Sequence, residues 1–304
     1  MKTNSKAHLA LFFVALIYGV NYIVAKEVMG DGQGIHPLAL VMMRSMAGFF
    51  LFWLFHVLFI RERLQRKDIG LIMLAALFGA AINQLFFLLG LQRTTPINAS
   101  LIQTSSPIIV LIASSVLLKE KITKRKLLGI LIGAIGAIIL ISYGQKVSFN
   151  MEGLTGDLMI LVNAAFFSLF LVIGRQLMQR YNPITVTRWL FTFGMFYLMP
   201  FCMPSFLQTD WAAISTNTWL GIAYVLIGTT FLAYLFNAYA LKLVSPSIVS
   251  IYMYLQPLFA SILSLSLGME KMTVGKILAG LLIFVGVYLV SYQPKRSISV
   301  EKLP

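Results

Sequence analysis

The chain's apolar residues come in ten runs of about 18 to 25, each bounded by a short polar break. A helix of that length spans the hydrocarbon of a bilayer. The runs are roughly His8–Met29, Pro37–Ile60, Ile69–Gln92, Pro96–Leu118, Leu127–Tyr143, Leu154–Gly174, Pro183–Phe206, Thr218–Leu241, Ser245–Gly268 and Lys276–Tyr292. Barrel strands are shorter and alternate in polarity, so helices are the only spanning form that fits. Hydrophobic residues make up 59% of the chain and charged residues 11%. A soluble surface needs about a quarter charged. The expected fold is therefore an all-α polytopic membrane protein with ten transmembrane helices. The first run, behind Lys2 and Lys6, resembles a signal peptide in its flanks. It is long and has no small-x-small cleavage site, so it is read as a retained span.

The net charge of +14 would suggest nucleic acid in a soluble protein. Here the cations sit in the breaks between spans, and they alternate. One set of loops and both termini hold 17 Lys and Arg: Lys2, Lys6, Arg61, Arg63, Arg66, Lys67, Lys119, Lys121, Lys124, Arg125, Lys126, Arg175, Arg180, Lys242, Lys295, Arg296 and Lys302. The other loops hold five: Lys26, Arg93, Lys146, Lys271 and Lys276. That bias places both termini in the cytoplasm of a cell membrane, the inner membrane of a bacterium. Cys202 is the single cysteine, so neither a disulfide nor a multi-cysteine metal site is expected.

At a fixed offset of 150 the chain repeats itself. Pro96, Ser100, Pro107, Ser114, Glu120, Thr123, Lys126 and Gly136 recur as Pro246, Ser250, Pro257, Ser264, Glu270, Thr273, Lys276 and Gly286. Apolar sequence matches apolar sequence by accident, but two prolines and a Glu-x-x-Thr-x-x-Lys loop in register do not arise that way. Each half, 1–148 and 149–304, then holds five spans. Five is odd, so the second half enters the membrane from the opposite side. Inverted repeats of this kind are characteristic of secondary transporters. Inversion also explains why Lys119, Lys121, Lys124, Arg125 and Lys126 thin to Lys271 and Lys276 in the second copy.

The stretch from Ala15 to Lys26, "ALIYGVNYIVAK", with Pro37 and Arg44 in the second span and the repeated Pro…Glu-x-x-Thr, resembles the EamA-type members of the drug/metabolite transporter superfamily. Tyr18 stands where that pattern usually has Trp. The resemblance implies a ten-helix fold of two five-helix repeats, a central cavity and export or exchange of small metabolites such as amino acids. It does not name the substrate.

Polar side chains inside spans cost free energy in lipid and normally face the bundle interior. Asn21, Tyr22, Arg44, Asn83, Gln84, Gln103, Thr104, Asn163, Tyr234, Asn237, Tyr252 and Gln256 are the cavity candidates on this ground. The competing reading for each is interhelical glue, worth about 0.6 kcal/mol per bond. Pro107 and Pro257 remove a helical hydrogen bond and are candidate hinges for gating. Arg188 is read as snorkelling to the nearby interface. Gly129, Gly133 and Gly136 form a small-residue seam for helix packing within one protomer, or else at a dimer contact.

No span carries a carboxylate near its middle. Proton coupling through Glu27, Asp157, His56 or a group on the substrate is the remaining route, and uncoupled or exchange transport is the expectation. No Walker-type glycine loop is present, so ATP is not expected to drive transport. No paired acids or His–acid cluster lies in the spans, which argues against an intramembrane enzyme. The alternative is a facilitative channel-like pore or a non-transporting scaffold. The expected partners are a small-molecule substrate and the bilayer, with no cofactor, metal or nucleic acid, in a monomer or homodimer.

Overall fold

Helix starts follow one local rule. His36, Thr95, Asn182 and Ser245 each stand before a proline, and each proline opens a helix. Proline at the first helical position loses no bond, because that N–H is unpartnered anyway. In three of the four the residue before it caps a free donor, and Ser245 does not. His36 accepts from the Leu38 N–H at 3.3 Å, Thr95 from Asn98 at 3.1 Å and Asn182 from Ile184 at 3.0 Å.

The structure is a computed structural model that describes residues 2–30, 34–142, 151–266 and 273–291. Among these the helices are α1 (Lys2–Val28), α2 (Pro37–Phe59), α3 (Arg66–Arg93), α4 (Pro96–Gln103 and Ser106–Leu117) and α5 (Lys124–Ser142). They continue as α6 (Met151–Arg180), α7 (Pro183–Gln208), α8 (Thr216–Leu243), α9 (Pro246–Ile251, Tyr252–Tyr254 and Leu255–Ser266) and α10 (Val274–Ser291). Nine stretches among the described residues have the length and hydropathy of a membrane span, and α5 adds a further 19-residue helix. The loop charges Lys146, Glu270, Lys271, Lys295, Arg296 and Lys302, and the side chain of Ser264, lie outside the described residues.

The packing reads as one half written twice. α3 lies against α6 as α8 lies against α1, and α4 lies against α6 as α9 lies against α1. α2 pairs with α7 and α5 with α10, each helix meeting its own counterpart. A three-dimensional twin of this kind appears at the helix ends. Lys26 Nζ donates to the carbonyls of Leu91, Gln92 and Thr94 at 2.8, 2.7 and 3.0 Å, closing the C-terminus of α3. Arg175 donates to the Leu241 carbonyl at the C-terminus of α8. A cation there satisfies carbonyls that lipid cannot and meets the negative end of the helix dipole.

The repeated Glu-x-x-Thr loop has a mechanical role in its first copy. Glu120 pairs with Lys126 and accepts from Ser247 Oγ at 3.1 Å, so it ties the α4–α5 turn to the start of α9. Thr123 accepts from the Lys126 N–H at 3.3 Å and begins α5. In the second copy Thr273 accepts from the Lys276 N–H at 3.4 Å.

The glycine seam packs within the chain. A methyl group at Gly286 would lie 2.6 Å from the Gly129 carbonyl oxygen and 2.7 Å from Gly133 Cα. One at Gly136 would lie 2.8 Å from the Ala279 carbonyl. Backbone meets backbone there, so α5 and α10 are as close as helices can come. Gly133 also receives the ring of Tyr254, which is fully buried.

This contact predicts opposite outcomes for two conservative changes. Gly286→Ala should destabilise the purified protein by about 1–3 kcal/mol, because neither backbone can yield. Gly280→Ala meets only the flexible tip of Leu258 at 3.4 Å and should be neutral or stabilising. Thermal unfolding in detergent reads both; equal shifts would show that the seam does not set the helix spacing.

Candidate functional site

Four helices leave α geometry within their spans. α3 widens to a π-helical turn over Leu77–Ile82 and α8 over Tyr224–Leu232. The two turns end at positions 82 and 232, the same offset of 150 that the sequence repeats. α4 is interrupted after Gln103, where the N–H groups of Thr104 and Ser105 bond three residues back at 3.0 Å each. α9 tightens to a 3-10 turn over Tyr252–Tyr254. Pro107 and Pro257 stand just past these interruptions, in the first turn of the next piece. The breaks of α4 and α9 are thus each followed by a proline that cannot donate to the turn before it.

The breaks surround a cavity. α1 presents Leu11, Val14, Ala15, Tyr18, Asn21 and Tyr22 to it, a stripe with spacings of three and four. Arg44, Asn83, Phe87, Gln103, Asn163 and Phe167 line it from α2, α3, α4 and α6. Tyr234, Asn237, Val249, Tyr252, Met253 and Gln256 complete it from α8 and α9. The empty space among these side chains amounts to ≈ 710 Å³, solvent-open part included. The cavity is narrow, with room for a small molecule once side chains part.

Ten of the twelve sequence candidates are in this lining: Asn21, Tyr22, Arg44, Asn83, Gln103, Asn163, Tyr234, Asn237, Tyr252 and Gln256. Gln84 and Thr104 are not. Each follows a lining residue by one position, about 100° further round its helix. Gln84 is buried beside Tyr234, and Thr104 Oγ1 donates to the Leu101 carbonyl at 2.6 Å, inside the break of α4. The sequence reading missed the rings of Tyr18, Phe87 and Phe167 from the wall. For Tyr18 the signal was available: it lies three and four residues before Asn21 and Tyr22.

Several wall groups are fixed by hydrogen bonds. Gln103 Nε2 donates to Asn163 Oδ1 at 2.5 Å, and Asn163 Nδ2 donates to the Asn83 carbonyl at 2.8 Å. Ser106 Oγ donates to Gln103 Oε1 at 3.0 Å. Tyr22 donates to Gln256 Oε1 at 3.2 Å. The Tyr234 hydroxyl donates to the Gly79 carbonyl at 2.7 Å, so it occupies an acceptor in the π turn of α3. At the cytoplasm-expected end of α1, His8 Nδ1 lies 2.8 Å from the Tyr252 hydroxyl. Asn21 Oδ1 is buried and has no donor.

Arg44 is the one charged side chain in the lining. It is only 4% exposed, and its Nε donates to Thr230 Oγ1 at 3.0 Å. Thr230 in turn donates to the Val225 carbonyl at 3.0 Å, so the π turn of α8 holds the guanidinium in place. No described carboxylate pairs with it; its polar neighbours are Tyr18 and Tyr234. Asp157 is engaged elsewhere, accepting from Thr94 Oγ1 at 2.5 Å and Asn98 Nδ2 at 3.3 Å at the α3–α4 joint. Arg188 lines a different groove: it is 6% exposed, with Trp53 and Trp189 rings 4.4 and 4.9 Å from its guanidinium carbon.

The EamA-like transporter family matches residues 5–142 and again residues 154–292. A transporter of Archaeoglobus fulgidus, named only as uncharacterized, is 27% identical over 288 residues, covering 94% of this chain and 97% of that one. An inner membrane transporter of Salmonella typhimurium, YicL, likewise named as uncharacterized, is 27% identical and covers 97% of this chain and 98% of its own. A solved crystal structure with 20% identity superposes with a TM-score of 0.75, over 94% of this chain and 96% of that one, which shows the shared fold. With the family matched over both halves of a helical membrane bundle, the chain belongs to the EamA-like transporter family.

Proposed function

We propose that this transporter carries small carboxylate-bearing metabolites, amino acids or their relatives, by alternating access between the halves 1–148 and 149–304. One observation carries the reading: Arg44 is buried in the cavity with no described carboxylate to neutralise it. A cation left alone in a bilayer interior is costly, and a substrate anion is the group that offsets it. The planar guanidinium suits a carboxylate through paired hydrogen bonds. Asn21 Oδ1, a buried acceptor without a donor, suits an ammonium group. The rings of Tyr18, Tyr22, Phe87 and Phe167 offer an apolar wall for a side chain.

The lining holds no Asp, Glu or His. This supports export or exchange driven by the substrate's own gradient, across a cell membrane with both termini in the cytoplasm. Transport, not chemistry, is the role assigned to the chain. Pro107 and Pro257 then act as the hinges of the two broken helices.

Removing the charge should separate binding from stability. Arg44→Gln should weaken thermal stabilisation by carboxylate metabolites about 10- to 100-fold. The ligand-free protein should keep its melting temperature or gain, because an uncompensated charge is gone. A loss of ligand-free stability with ligand response intact would overturn the assignment.

Hinge action is tested by counterflow in proteoliposomes. Pro257→Ala should slow exchange several-fold at unchanged folded yield. Equal loss of yield and rate would mean that the proline only packs. Flux that collapses when a pH gradient is abolished would sink the exchange mechanism.

A further inference from the structure

A second concave site lies apart from the transport cavity, between the last turn of α2, the α2–α3 loop and the second and third turns of α7. Its lining includes His56, Arg61, Arg63 and Arg188 together with Leu64, Ile69, Trp189 and Phe193. The empty space comes to ≈ 1050 Å³, solvent-open part included. The lining combines cationic side chains with aromatic and aliphatic ones.

The cationic side chains have donors to spare. Arg188 Nη1 donates to His56 Nδ1 at 2.9 Å, and His56 Nε2 lies 3.2 Å from the Glu62 carbonyl. The Nε2–H tautomer of a neutral imidazole satisfies both contacts, so His56 adds no anion to balance Arg188. Arg188 Nε and Trp189 Nε1 are buried donors with no acceptor. Arg61 and Arg63 are exposed and make no hydrogen bond or ion pair among the described residues. Glu62 is the one acid of the lining, and its Oε2 is taken by the Asn182 N–H at 2.8 Å, at the cap of α7. Three arginines therefore face a single carboxylate that is already engaged.

The position of the site selects the ligand. Trp53 and Trp189 flank Arg188, as tryptophans do at the headgroup level of a membrane. The outer face of α2 beside it is bare apolar surface, with Leu54, Val57, Leu58 and Phe59 more than half exposed. The apolar wall of Trp189 and Phe193 continues along α7 to Phe196, 60% exposed. We infer that this groove binds an anionic phospholipid, its phosphate against Arg61, Arg63 and Arg188 and an acyl chain along Trp189, Phe193 and Phe196. Arginine forks fit phosphate oxygens, and basic groups near the cytoplasmic surface draw anionic lipid.

The full chain in detergent, titrated with phosphatidylglycerol and followed by native mass spectrometry, tests this. Arg61→Ser together with Arg63→Ser should weaken the first bound lipid roughly thirtyfold, about fivefold per arginine, while Arg66 and Lys67 remain in the loop. Phosphatidylcholine should bind weakly to wild type and variant alike. Lys121→Ser with Lys124→Ser, which removes the same charge from another loop, should leave phosphatidylglycerol binding unchanged. Equal losses in the two double variants would overturn the proposal in favour of diffuse attraction to a basic protein. Competition by glycerol phosphate as strong as by the lipid would overturn the acyl-chain contact and leave a soluble phosphate as the ligand. Because both arginines are exposed, folding survives their loss, and unchanged phosphatidylglycerol binding in that variant would refute the site.

Discussion

In hydrocarbon a backbone carbonyl or amide has no water to turn to, so every departure from the helix must be compensated by the protein. That constraint organises the whole molecule. The four irregular turns, in α3, α4, α8 and α9, are adjacent to the one place where polar side chains can serve them. Tyr234 serves the Gly79 carbonyl in α3, and Thr230 serves Val225 in α8 while holding Arg44. Gln103 and Asn163 brace the wall beside the break in α4. The cavity is thus more than a gap between helices. It is where backbone polarity and side-chain polarity neutralise one another, and the residues left over are the ones free to meet a ligand.

The scaffold is nearly symmetric, and its charges are not. Aligning α2 and α7 at their opening prolines puts Leu190 at the place of Arg44 and Met42 at the place of Arg188. Lys26 and Arg175, by contrast, are twins that close corresponding helices. The cations that close α3 and α8 are therefore repeated, whereas Arg44 and Arg188, the two that lie within spans, are each unique to one half. A fold requirement acts on both copies. A ligand with one charged end breaks the twofold, and only one copy needs its partner.

Much of this was legible in the sequence because membrane constraints write themselves plainly. Long apolar runs set the helices, Pro-opened starts such as Pro37, Pro96 and Pro183 set their beginnings, and ten polar intramembrane residues converge on one cavity. Other features left no local mark. The π turns of α3 and α8 run through "LFGAAI" and "YVLIGTTFL", which carry no proline, and each is met by a side chain from elsewhere in the chain, Tyr234 at Gly79 and Arg44 at Thr230. Gln84 and Thr104 were misplaced because polarity identifies a span's interior side but not which of two adjacent positions faces the cavity. For Arg188 the sequence suggested only its nearness to the interface, not its surroundings. Only the fold shows Trp53, Trp189 and His56 enclosing it.

The alternating access proposed here would require some contacts to hold while others part, and the packing divides along that line. α5 and α10 bring backbone against backbone where Gly286 meets Gly129 and Gly133 and where Gly136 meets the Ala279 carbonyl, a contact with little room to rearrange. Sliding there would lose contacts on both sides at once, since close-packed surfaces shift between discrete arrangements and do not deform smoothly. The broken helices differ. Their hydrogen-bond ladders are already open next to the cavity, so a change of angle costs fewer bonds than in an intact helix. Tyr252, in the 3-10 turn of α9, both lines the cavity and meets His8 of α1, which couples that turn to the helix contributing most to the wall. Movement of the α1–α9 contact against a fixed α5–α10 pair, mirrored by α6–α4 in the other half, is the motion this division of rigid and irregular helices favours.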